Sequence, residues 1–322
     1  MRLVLLALPG SEAAGAKIGR ILGVAPGRIE ERLFEDGEHK IRPLDSMRGG
    51  DVYLLQSLHG DQQRSPDEKL VSLLMLLGAV RDASAARITV VAPYLCYARK
   101  DARTQVQDPV SSRYVAQLLE AVGCDRIVTM EVHNPAAYQN AFRIPAEHLE
   151  GTRLLGDALL AMAPGANAVV VSPDSGGVKR AEHLRAYLSQ RLAAPIASAF
   201  MEKHRSGGVV SGERLIGDVA GKTALIIDDL VSSGTSLSRV ASACAAAGAP
   251  RILAAVTHAM FSAEAEQVLC AMPVEALLVS DTVALRPLTA EAMAKVRVIP
   301  TAPLLAGAIL ALHEDTPLQE VC

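Results

Sequence analysis

Tryptophan is absent from this sequence of 322 residues, and aromatic residues make up only 3% of it. Because apolar residues of all kinds make up 50% of the chain, a hydrophobic core has to be built almost entirely from aliphatic side chains. There is also no block of basic residues, and the net charge is -3. Nucleic-acid binding requires clustered Lys and Arg, so this composition argues against a nucleic-acid partner.

Cysteines are few, and long apolar runs are missing. The apolar run at residues 3–8 is too short for a signal peptide, and the run at residues 70–80 is too short to span a bilayer. We therefore expect a soluble cytoplasmic protein with no membrane partner. The five cysteines lack metal-site spacing, which predicts reduced thiols at Cys96, Cys124, Cys244, Cys270 and Cys322. We expect the first four to be buried as small hydrophobic residues.

Short apolar runs alternate along the chain with stretches of helical periodicity. This alternation predicts an α/β fold with two similar domains, each a mostly parallel sheet flanked by helices, and ligands at the carboxyl ends of the strands. We expect domains at residues 1–146 and 147–302, followed by a segment at 303–322 whose helix packs back on the first domain. The predicted strands are residues 3–8, 52–55, 88–92, 127–132, 168–171, 225–227, 252–256 and 276–279. The predicted helices are residues 67–81, 111–122, 177–192, 237–247 and 304–312.

Residues 224–236 carry the clearest chemical signal. An apolar run ends in Asp228 and Asp229, and a hydroxyl-rich turn then leads into a predicted helix. The first amides of that helix and the hydroxyl groups of the turn can bind a phosphate, whereas two carboxylates suit sugar hydroxyls or a metal ion. A phosphorylated sugar satisfies both parts, and the alternative is a capped turn beside two solvated acids. The turn consists of Ser232, Ser233, Gly234, Thr235 and Ser236.

Two segments of the first half carry weaker signals. Residues 34–38 read Phe-Glu-Asp-Gly-Glu, and Asp36 followed by Gly37 predicts a tight turn, which on its own is best interpreted as solvent-exposed. The second segment follows a predicted strand and contains Arg99 and Lys100. A guanidinium and an ammonium group can bind phosphate oxygens, and the alternative is a solvated charge cluster.

Three further segments lie at or just after the ends of predicted strands, the last of which spans residues 196–200. Glu131 and His133 stand two residues apart, so an extended chain would place both on one face, where they could meet a metal ion. Asp174 precedes two glycines, which permit close approach of the backbone, although it could simply cap a tight turn. Lys203 and Arg205 lie in a basic segment with glycines, predicted to be a flexible loop that neutralises transferring phosphates or, alternatively, a solvated hairpin tip.

Taken together, these motifs resemble the ribose-phosphate pyrophosphokinase family, which has a phosphoribosyltransferase-like fold. The elements Phe-x-Asp-Gly-Glu, Tyr-Ala-Arg-x-Asp and Asp-Asp-x-x-x-Ser-Gly occur in this order, and the resemblance covers residues 3–312. It implies an enzyme that transfers the β,γ-pyrophosphoryl group of ATP to the C1 hydroxyl of ribose 5-phosphate with Mg2+, giving phosphoribosyl diphosphate and AMP. Two alternatives stay open: a catalytically silent subunit that regulates a true synthetase, and a phosphoribosyltransferase.

The resemblance also implies roles for the candidates in the first half. Phe34 would stack on the adenine, while Asp36 and Glu38 would accept hydrogen bonds from its amino group and neighbouring donors. In the family this segment reaches into the site of a neighbouring subunit, which implies a homo-oligomer with active sites shared at a dimer interface. The remaining ATP contacts would come from Arg99, Lys100, Asp101 and His133.

In the second half, the resemblance implies that Asp174 lies beside Mg2+ and the ribose hydroxyls, with His133 as the other metal-site residue. Asp228, Asp229 and the turn at residues 232–236 would bind ribose 5-phosphate. Catalysis would depend on the cations that close over the reacting phosphates, Lys203 and Arg205.

The sequence departs from the family pattern at four positions. Lys100 stands where the family usually has Gln, and Ala102 stands where a basic residue is common. Glu131 stands where the family has Asp, and Ser232 stands where many members have an acid. Residues 104–112 also lack the basic residues that accompany the family's effector site. We therefore expect weak dependence on inorganic phosphate and weak inhibition by ADP.

Overall fold

The computed structural model describes residues 1–163, 165–206 and 209–318, and it describes side chains in these ranges except at 203–213. The chain forms two compact units. Unit 1 comprises Met1–Glu150 and the segment from Thr301 onward, and unit 2 comprises Gly151–Pro300. Within the described ranges, no helix combines the length and the apolar character needed to cross a bilayer.

Unit 1 is built around a five-stranded parallel sheet with the strand order β1-β4-β5-β6-β7, while β2 and β3 form a separate antiparallel hairpin. All six residues of β4 are buried, as expected for a parallel strand covered on both faces. The elements up to residue 150 are β1 (Arg2–Ala7), α1 (Glu12–Leu22), β2 (Ile29–Leu33), β3 (His39–Pro43), β4 (Gly50–Leu55), α2 (Pro66–Asp82), β5 (Arg87–Ala92), α3 (Ser111–Val122), β6 (Arg126–Met130), α4 (Pro135–Ala141) and β7 (Ala146–Leu149).

Unit 2 contains a seven-stranded sheet with the order β10-β9-β8-β11-β12-β13-β14, in which only the edge pair β9–β10 is antiparallel. Its elements are α5 (Thr152–Met162), β8 (Ala168–Ser172), α6 (Val178–Leu192), β9 (Ala197–Ser206), β10 (Val209–Ile216), β11 (Thr223–Val231), α7 (Thr235–Ala246), β12 (Arg251–Ala259), α8 (Ala265–Ala271), β13 (Ala276–Ser280), α9 (Ala290–Lys295) and β14 (Val296–Ile299). The final helix, α10 (Ala302–His313), belongs to unit 1 and packs against α1.

The strand order of unit 2 reverses direction between β8 and β11. The chain leaves β8 through α6 to β9 on one side, and it leaves β11 through α7 to β12 on the other side. In open parallel sheets, the loops at such a reversal diverge and leave a crevice at the carboxyl ends of the strands. This crevice is the expected ligand position in unit 2.

A buried charge network anchors the end of α10 to the sheet of unit 1. Arg87 donates from Nε and Nη2 to the two carboxylate oxygens of the fully buried Asp51, each at 2.7 Å, and His313 Nδ1 lies 2.7 Å from the same carboxylate. Burial raises the pKa of Asp51, but hydrogen bonds from Arg87 and His313 outweigh this effect and hold the pKa below its ordinary value. The buried carboxylate is therefore paired in its ionised form.

The α/β architecture with parallel sheets is confirmed, with one correction that bears on the site. The apolar run before Asp228 was predicted to end the strand, so that both acids would begin a loop. Instead β11 continues to Val231, because β12 runs alongside it and pairs Asp228 with Val256 and Leu230 with His258. Asp228 and Asp229 therefore belong to the carboxyl end of a central strand.

One lysine satisfies the carboxyl end of α8. Lys295 Nζ donates to the carbonyl oxygens of Leu269 at 3.0 Å, Cys270 at 2.8 Å and Met272 at 2.7 Å. These are the carbonyls that a helix end leaves without an intrahelical donor.

We expect Lys295→Met to lower the free energy of unfolding by about 2 kcal/mol, because partly buried carbonyls lose a charged donor. Urea unfolding measures the change. Lys179→Met removes an exposed lysine from α6 and is the matched control. Equal urea midpoints for the two variants would contradict this interpretation.

Candidate active site

Asp174 lies in the loop between β8 and α6, at the reversal point of the sheet. Its Oδ1 accepts hydrogen bonds from the amides of Gly176 at 3.0 Å and Gly177 at 3.1 Å, which close a tight turn. A Cβ added at Gly177 would lie 2.8 Å from Ser172 Oγ, so this close approach requires glycine. The turn therefore fixes Asp174 at the carboxyl end of β8.

Asp228 and Asp229 lie at the end of the neighbouring strand β11 and share one arginine. Arg180, near the start of α6, places Nη1 3.5 Å from Asp228 Oδ1 and Nη2 3.8 Å from Asp229 Oδ2. Asp229 is buried, and Asp228 is partly exposed. Burial and the adjacent charge of Asp229 raise the pKa of Asp228 to about 7, and Arg180 opposes this rise.

This raised pKa gives a prediction about stability. The ordinary pKa of the carboxyl is 3.8, so between pH about 4 and about 7 the folded state keeps a proton that the unfolded state releases. The stability contribution is therefore present at low pH and is lost as the pH rises through this window. Asp228→Asn should make the free energy of unfolding, measured in urea at several pH values, less dependent on pH across it.

Asp157→Asn, which changes an exposed carboxylate on α5, is the control and should leave the wild-type pH dependence in place. If the free energy of unfolding of Asp228→Asn depends on pH as strongly as that of the wild type, burial of the Asp228 carboxyl does not cause this pH dependence.

A turn of small polar residues connects β11 to α7. Gly234 has φ 80°, a left-handed conformation that favours glycine, and Ser233 Oγ lies 3.0 Å from Thr235 Oγ1. Met260, the residue after β12, supports the start of the turn, because its amide donates to Val231 O at 2.8 Å. Ser232, Thr235 and Ser236 are exposed at the start of the helix. The turn thus offers hydroxyls and first-turn amides to an anion.

In unit 1, the predicted tight turn at residues 34–38 joins β2 to β3. Phe34 N donates to Glu38 O at 2.7 Å, Asp36 Oδ1 accepts from Glu38 N at 3.0 Å, and Gly37 has φ 91°. Phe34 is 43% exposed, and the guanidinium of Arg32 lies 5.3 Å from the centroid of its ring. The hairpin therefore presents an aromatic face and two carboxylates outside the sheet.

The loops after β5 and β6 carry the other candidates of unit 1. Arg99 is exposed, whereas Lys100 Nζ lies 2.7 Å from Asp108 Oδ2 and so is paired within its own loop. Asp101 Oδ2 accepts from Asn134 Nδ2 at 2.8 Å, which joins the two loops directly before the N-terminus of α4. His133, next to Asn134, is exposed. Arg99, Asp101 and His133 thus share one edge of the sheet of unit 1.

The prediction that Glu131 and His133 share a face of an extended segment is wrong. Strand β6 ends at Met130, and Glu131 has φ 41°, which turns the chain away from the strand direction. Glu131 N donates to Leu149 O at 3.0 Å, and the residue is buried while His133 is exposed. The hydrogen bond to β7 dictates this turn, and no strand periodicity applies here.

The prediction of a loop at Lys203 and Arg205 also needs correction. Strand β9 continues to Ser206 because β10 pairs with it, Lys203 opposite Glu213 and Arg205 opposite Val210. The side chains of Lys203 and Arg205 lie outside the described residues, as does the backbone of residues 207–208. Their proposed contact with phosphates remains a prediction.

Two contributing residues were missed in the sequence. Arg180 was hidden in a helix that showed only ordinary polar periodicity, although its position six residues after Asp174 places it at the same strand end. Asn134 was detectable, since Asn followed by Pro is typical of a helix start, and its Oδ1 does accept from Ala137 N at 3.1 Å.

Comparison with known proteins places this arrangement in a family. Residues 3–123 match the sequence model of the N-terminal domain of ribose phosphate pyrophosphokinase, and residues 137–272 match that of the phosphoribosyl transferase domain. The ribose-phosphate pyrophosphokinase of Caldanaerobacter subterraneus is 36% identical over 95% of this chain and 93% of the relative. Ribose-phosphate pyrophosphokinase 1 of Streptococcus mutans is 34% identical over 98% of this chain and 95% of the relative.

A solved structure agrees with these sequence matches. The crystal structure of phosphoribosylpyrophosphate synthetase from Mycobacterium smegmatis superposes with a TM-score of 0.87 at 32% identity, covering 98% of this chain and 100% of that one. Identity above 30% over nearly the whole length of both chains means that the similarity is one of sequence as well as of fold. The chain belongs to the ribose-phosphate pyrophosphokinase family.

Proposed function

We propose that this chain transfers the β,γ-pyrophosphoryl group of ATP to the C1 hydroxyl of ribose 5-phosphate, forming phosphoribosyl diphosphate and AMP. One observation carries the proposal. At the reversal point of the unit 2 sheet, two carboxylates near the end of β11 are followed, after Leu230 and Val231, by a turn with exposed hydroxyls at a helix N-terminus. Membership of the ribose-phosphate pyrophosphokinase family supports this activity.

The two halves of this site suit the two ends of ribose 5-phosphate. The hydroxyls of Ser232, Ser233, Thr235 and Ser236, with the amides at Gly234 and beyond, would bind the 5-phosphate. Asp228 and Asp229 repel phosphate, and they would accept hydrogen bonds from the ribose hydroxyls instead. The sugar is thereby oriented by groups of opposite character at its two ends.

The nucleotide would be bound by residues of unit 1. Phe34 offers an exposed ring for stacking on adenine, and Asp36 and Glu38 offer acceptors for its amino group. Arg99, Lys100, Asp101 and His133 would contact the ATP phosphates and the ion that they carry. We further propose a homo-oligomer in which the β2–β3 hairpin of one subunit completes the site of its neighbour.

Mg2+ fits the donor set as an ion carried by the substrate. Among the described side chains, no group of three or more His, Cys, Asp and Glu gathers closely enough to hold a metal. Mg2+ in phosphoryl-transfer sites binds through few protein ligands together with substrate phosphates and waters, so this arrangement is compatible with it. His133 and Asp174 would hold the ion, which neutralises phosphate charge when bound.

Transfer of this kind depends mainly on positioning and on charge neutralisation. The oxygen of the C1 hydroxyl attacks the β-phosphorus in line, and the bond between the β-phosphorus and the oxygen that bridges to the α-phosphorus breaks. AMP leaves with that bridging oxygen, and the hydroxyl proton passes to solvent. Lys203 and Arg205 would stabilise the charge on the transferring group.

Four described cysteine thiols are free, which fits the proposed reducing cytoplasmic location. Cys270 was predicted to be buried but is partly exposed.

Lys203→Ala is expected to lower AMP formation from ATP and ribose 5-phosphate about 100-fold, by analogy with the loss of one preorganised transition-state donor. A coupled assay that detects AMP measures the rate. Lys179→Ala, at an exposed position of α6, is the control. A Lys203→Ala rate equal to wild type would remove this segment from the catalytic mechanism.

The same assay separates the alternatives. A synthetase releases AMP as an isolated chain. A silent regulatory subunit releases none until an active synthetase is added, and a phosphoribosyltransferase consumes phosphoribosyl diphosphate and a nitrogenous base while releasing pyrophosphate. Two features make the silent subunit worth testing: Ser232 departs from the family pattern, and Lys100, which also departs from it, is paired with Asp108.

A further inference from the structure

Arg180 contacts both carboxylates at the end of β11. Arg180 is mostly buried, with 14% of its side chain exposed, and it lies in the first turn of α6, which begins after the Asp174 turn. Its two terminal nitrogens face different carboxylates, Nη1 that of Asp228 and Nη2 that of Asp229. We propose that Arg180 is the positioning residue for sugar recognition: it holds Asp228 and Asp229 so that both accept hydrogen bonds from neighbouring hydroxyls of the ribose.

The distances between Arg180 and the two acids suit a positioning role. Tight arginine–carboxylate pairs have nitrogen–oxygen distances of about 2.7–2.9 Å. Arg87 and Asp51 in unit 1 form such a pair, with both contacts at 2.7 Å. Arg180 lies 3.5 Å and 3.8 Å from its two partners, so it orients the carboxylates without a close bidentate pair to either. A pair as tight as Arg87–Asp51 would compete with sugar hydroxyls.

The two acids need an external cation to act together. Successive residues of a strand point to opposite faces, and two adjacent carboxylates repel each other. Asp228 Oδ1 also accepts from the amide of Asp229 at 2.9 Å, which fixes one acid relative to the backbone of the other. The planar fork of a guanidinium reaches two carboxylates at once, whereas the single ammonium of lysine is a point charge. The raised pKa of Asp228 agrees with this geometry, because the positive charge of Arg180 only partly offsets burial and the repulsion from Asp229.

The ligand class follows from this arrangement. Two oriented carboxylates recognise a pair of adjacent hydroxyls, and a site built to accept hydrogen bonds from a hydroxyl strongly rejects an analogue that lacks it. Ribose 5-phosphate should therefore bind more tightly than 2-deoxyribose 5-phosphate, and this preference should depend on Arg180. The inference rests on the proposed function for its choice of ligand.

The test compares Arg180→Met, Arg180→Lys and the control Arg185→Met in the full chain. Arg185 lies on the same helix and pairs with Glu182 by hydrogen bonds to both carboxylate oxygens, remote from the acids of β11 in the sequence. Binding of ribose 5-phosphate and of 2-deoxyribose 5-phosphate is measured by calorimetry, and kcat and KM are measured for both substrates of the reaction.

We expect Arg180→Met to raise the Kd and KM for ribose 5-phosphate at least about 30-fold, while the KM for ATP stays near the wild-type value. The preference for ribose over deoxyribose should be largely lost. Arg180→Lys should restore part of the affinity and less of the preference, and Arg185→Met should resemble wild type.

Wild-type affinity and preference in Arg180→Met would overturn the proposal, as would an equal loss for ATP and ribose 5-phosphate, which indicates general damage. If Arg180→Met does not fold, Arg180→Lys decides: unchanged discrimination between the two sugars contradicts the proposal. If the wild-type chain forms no AMP but binds ribose 5-phosphate in an Arg180-dependent manner, the proposed reaction fails while the assignment of Arg180 stands.

Discussion

Replacing Asp229 with alanine is expected to lower kcat/KM for ribose 5-phosphate about 1000-fold. The proposed site loses a carboxylate that accepts charge-assisted hydrogen bonds, and the mostly buried Arg180 loses one of its partners. Two such losses of about 2 kcal/mol each raise the barrier by about 4 kcal/mol, which corresponds to this factor. Initial rates of AMP release at low ribose 5-phosphate concentration measure it.

Asp157→Ala is the matched control for this prediction. Asp157 lies on α5 in the same unit, is 54% exposed and accepts from the Tyr187 hydroxyl. Its removal should change the free energy of unfolding and the activity only slightly, as is usual for surface positions. Near-normal kcat/KM in Asp229→Ala would mean that the end of β11 does not contact the sugar.

The second large effect concerns stability. Gly217, directly after β10, has φ 115°, and a Cβ added there would lie 2.7 Å from Ala199 Cβ and 2.9 Å from both Ala199 Cα and Ser198 O. Alanine would combine an unfavourable backbone conformation with contacts to backbone atoms that cannot move aside. We expect Gly217→Ala to lower the free energy of unfolding by about 4 kcal/mol, the sum of both costs.

Gly221→Ala separates the two contributions. Gly221 also has a left-handed φ, 68°, but a Cβ added there meets no atom of the described residues within 4 Å. Its cost should be about 1 kcal/mol, from the backbone conformation alone. Urea unfolding of both variants gives the comparison, and equal midpoints would show that crowding around Gly217 has no energetic effect.

The sequence was informative where local chemistry determines the structure. Helix α3 spans the predicted residues, because Gly123, at φ 108°, ends it in the conformation that glycine favours. The tight turn of the β2–β3 hairpin followed from Asp36 and Gly37, and the polar turn before α7 followed from its hydroxyl residues. In each case a few neighbouring residues dictate the backbone.

The sequence was less informative where partners distant in the chain determine the structure. Strand β11 extends past its apolar run because β12 supplies hydrogen bonds, and Glu131 turns because its amide bonds to β7. Arg180 reaches Asp228 across 48 residues, and nothing in the periodicity of α6 indicates that contact. Such interactions depend on the strand order, which the sequence pattern did not reveal.

The most direct test of the central claim uses ATP with a radioactive γ-phosphorus and tracks this label into the products. The purified chain is incubated with this ATP, Mg2+ and ribose 5-phosphate, and the products are separated by ion-exchange chromatography. Diphosphoryl transfer predicts that all the consumed label appears in phosphoribosyl diphosphate, with an equal amount of AMP and no ADP. Label recovered as inorganic phosphate or in a sugar bisphosphate accompanied by ADP would contradict the assignment.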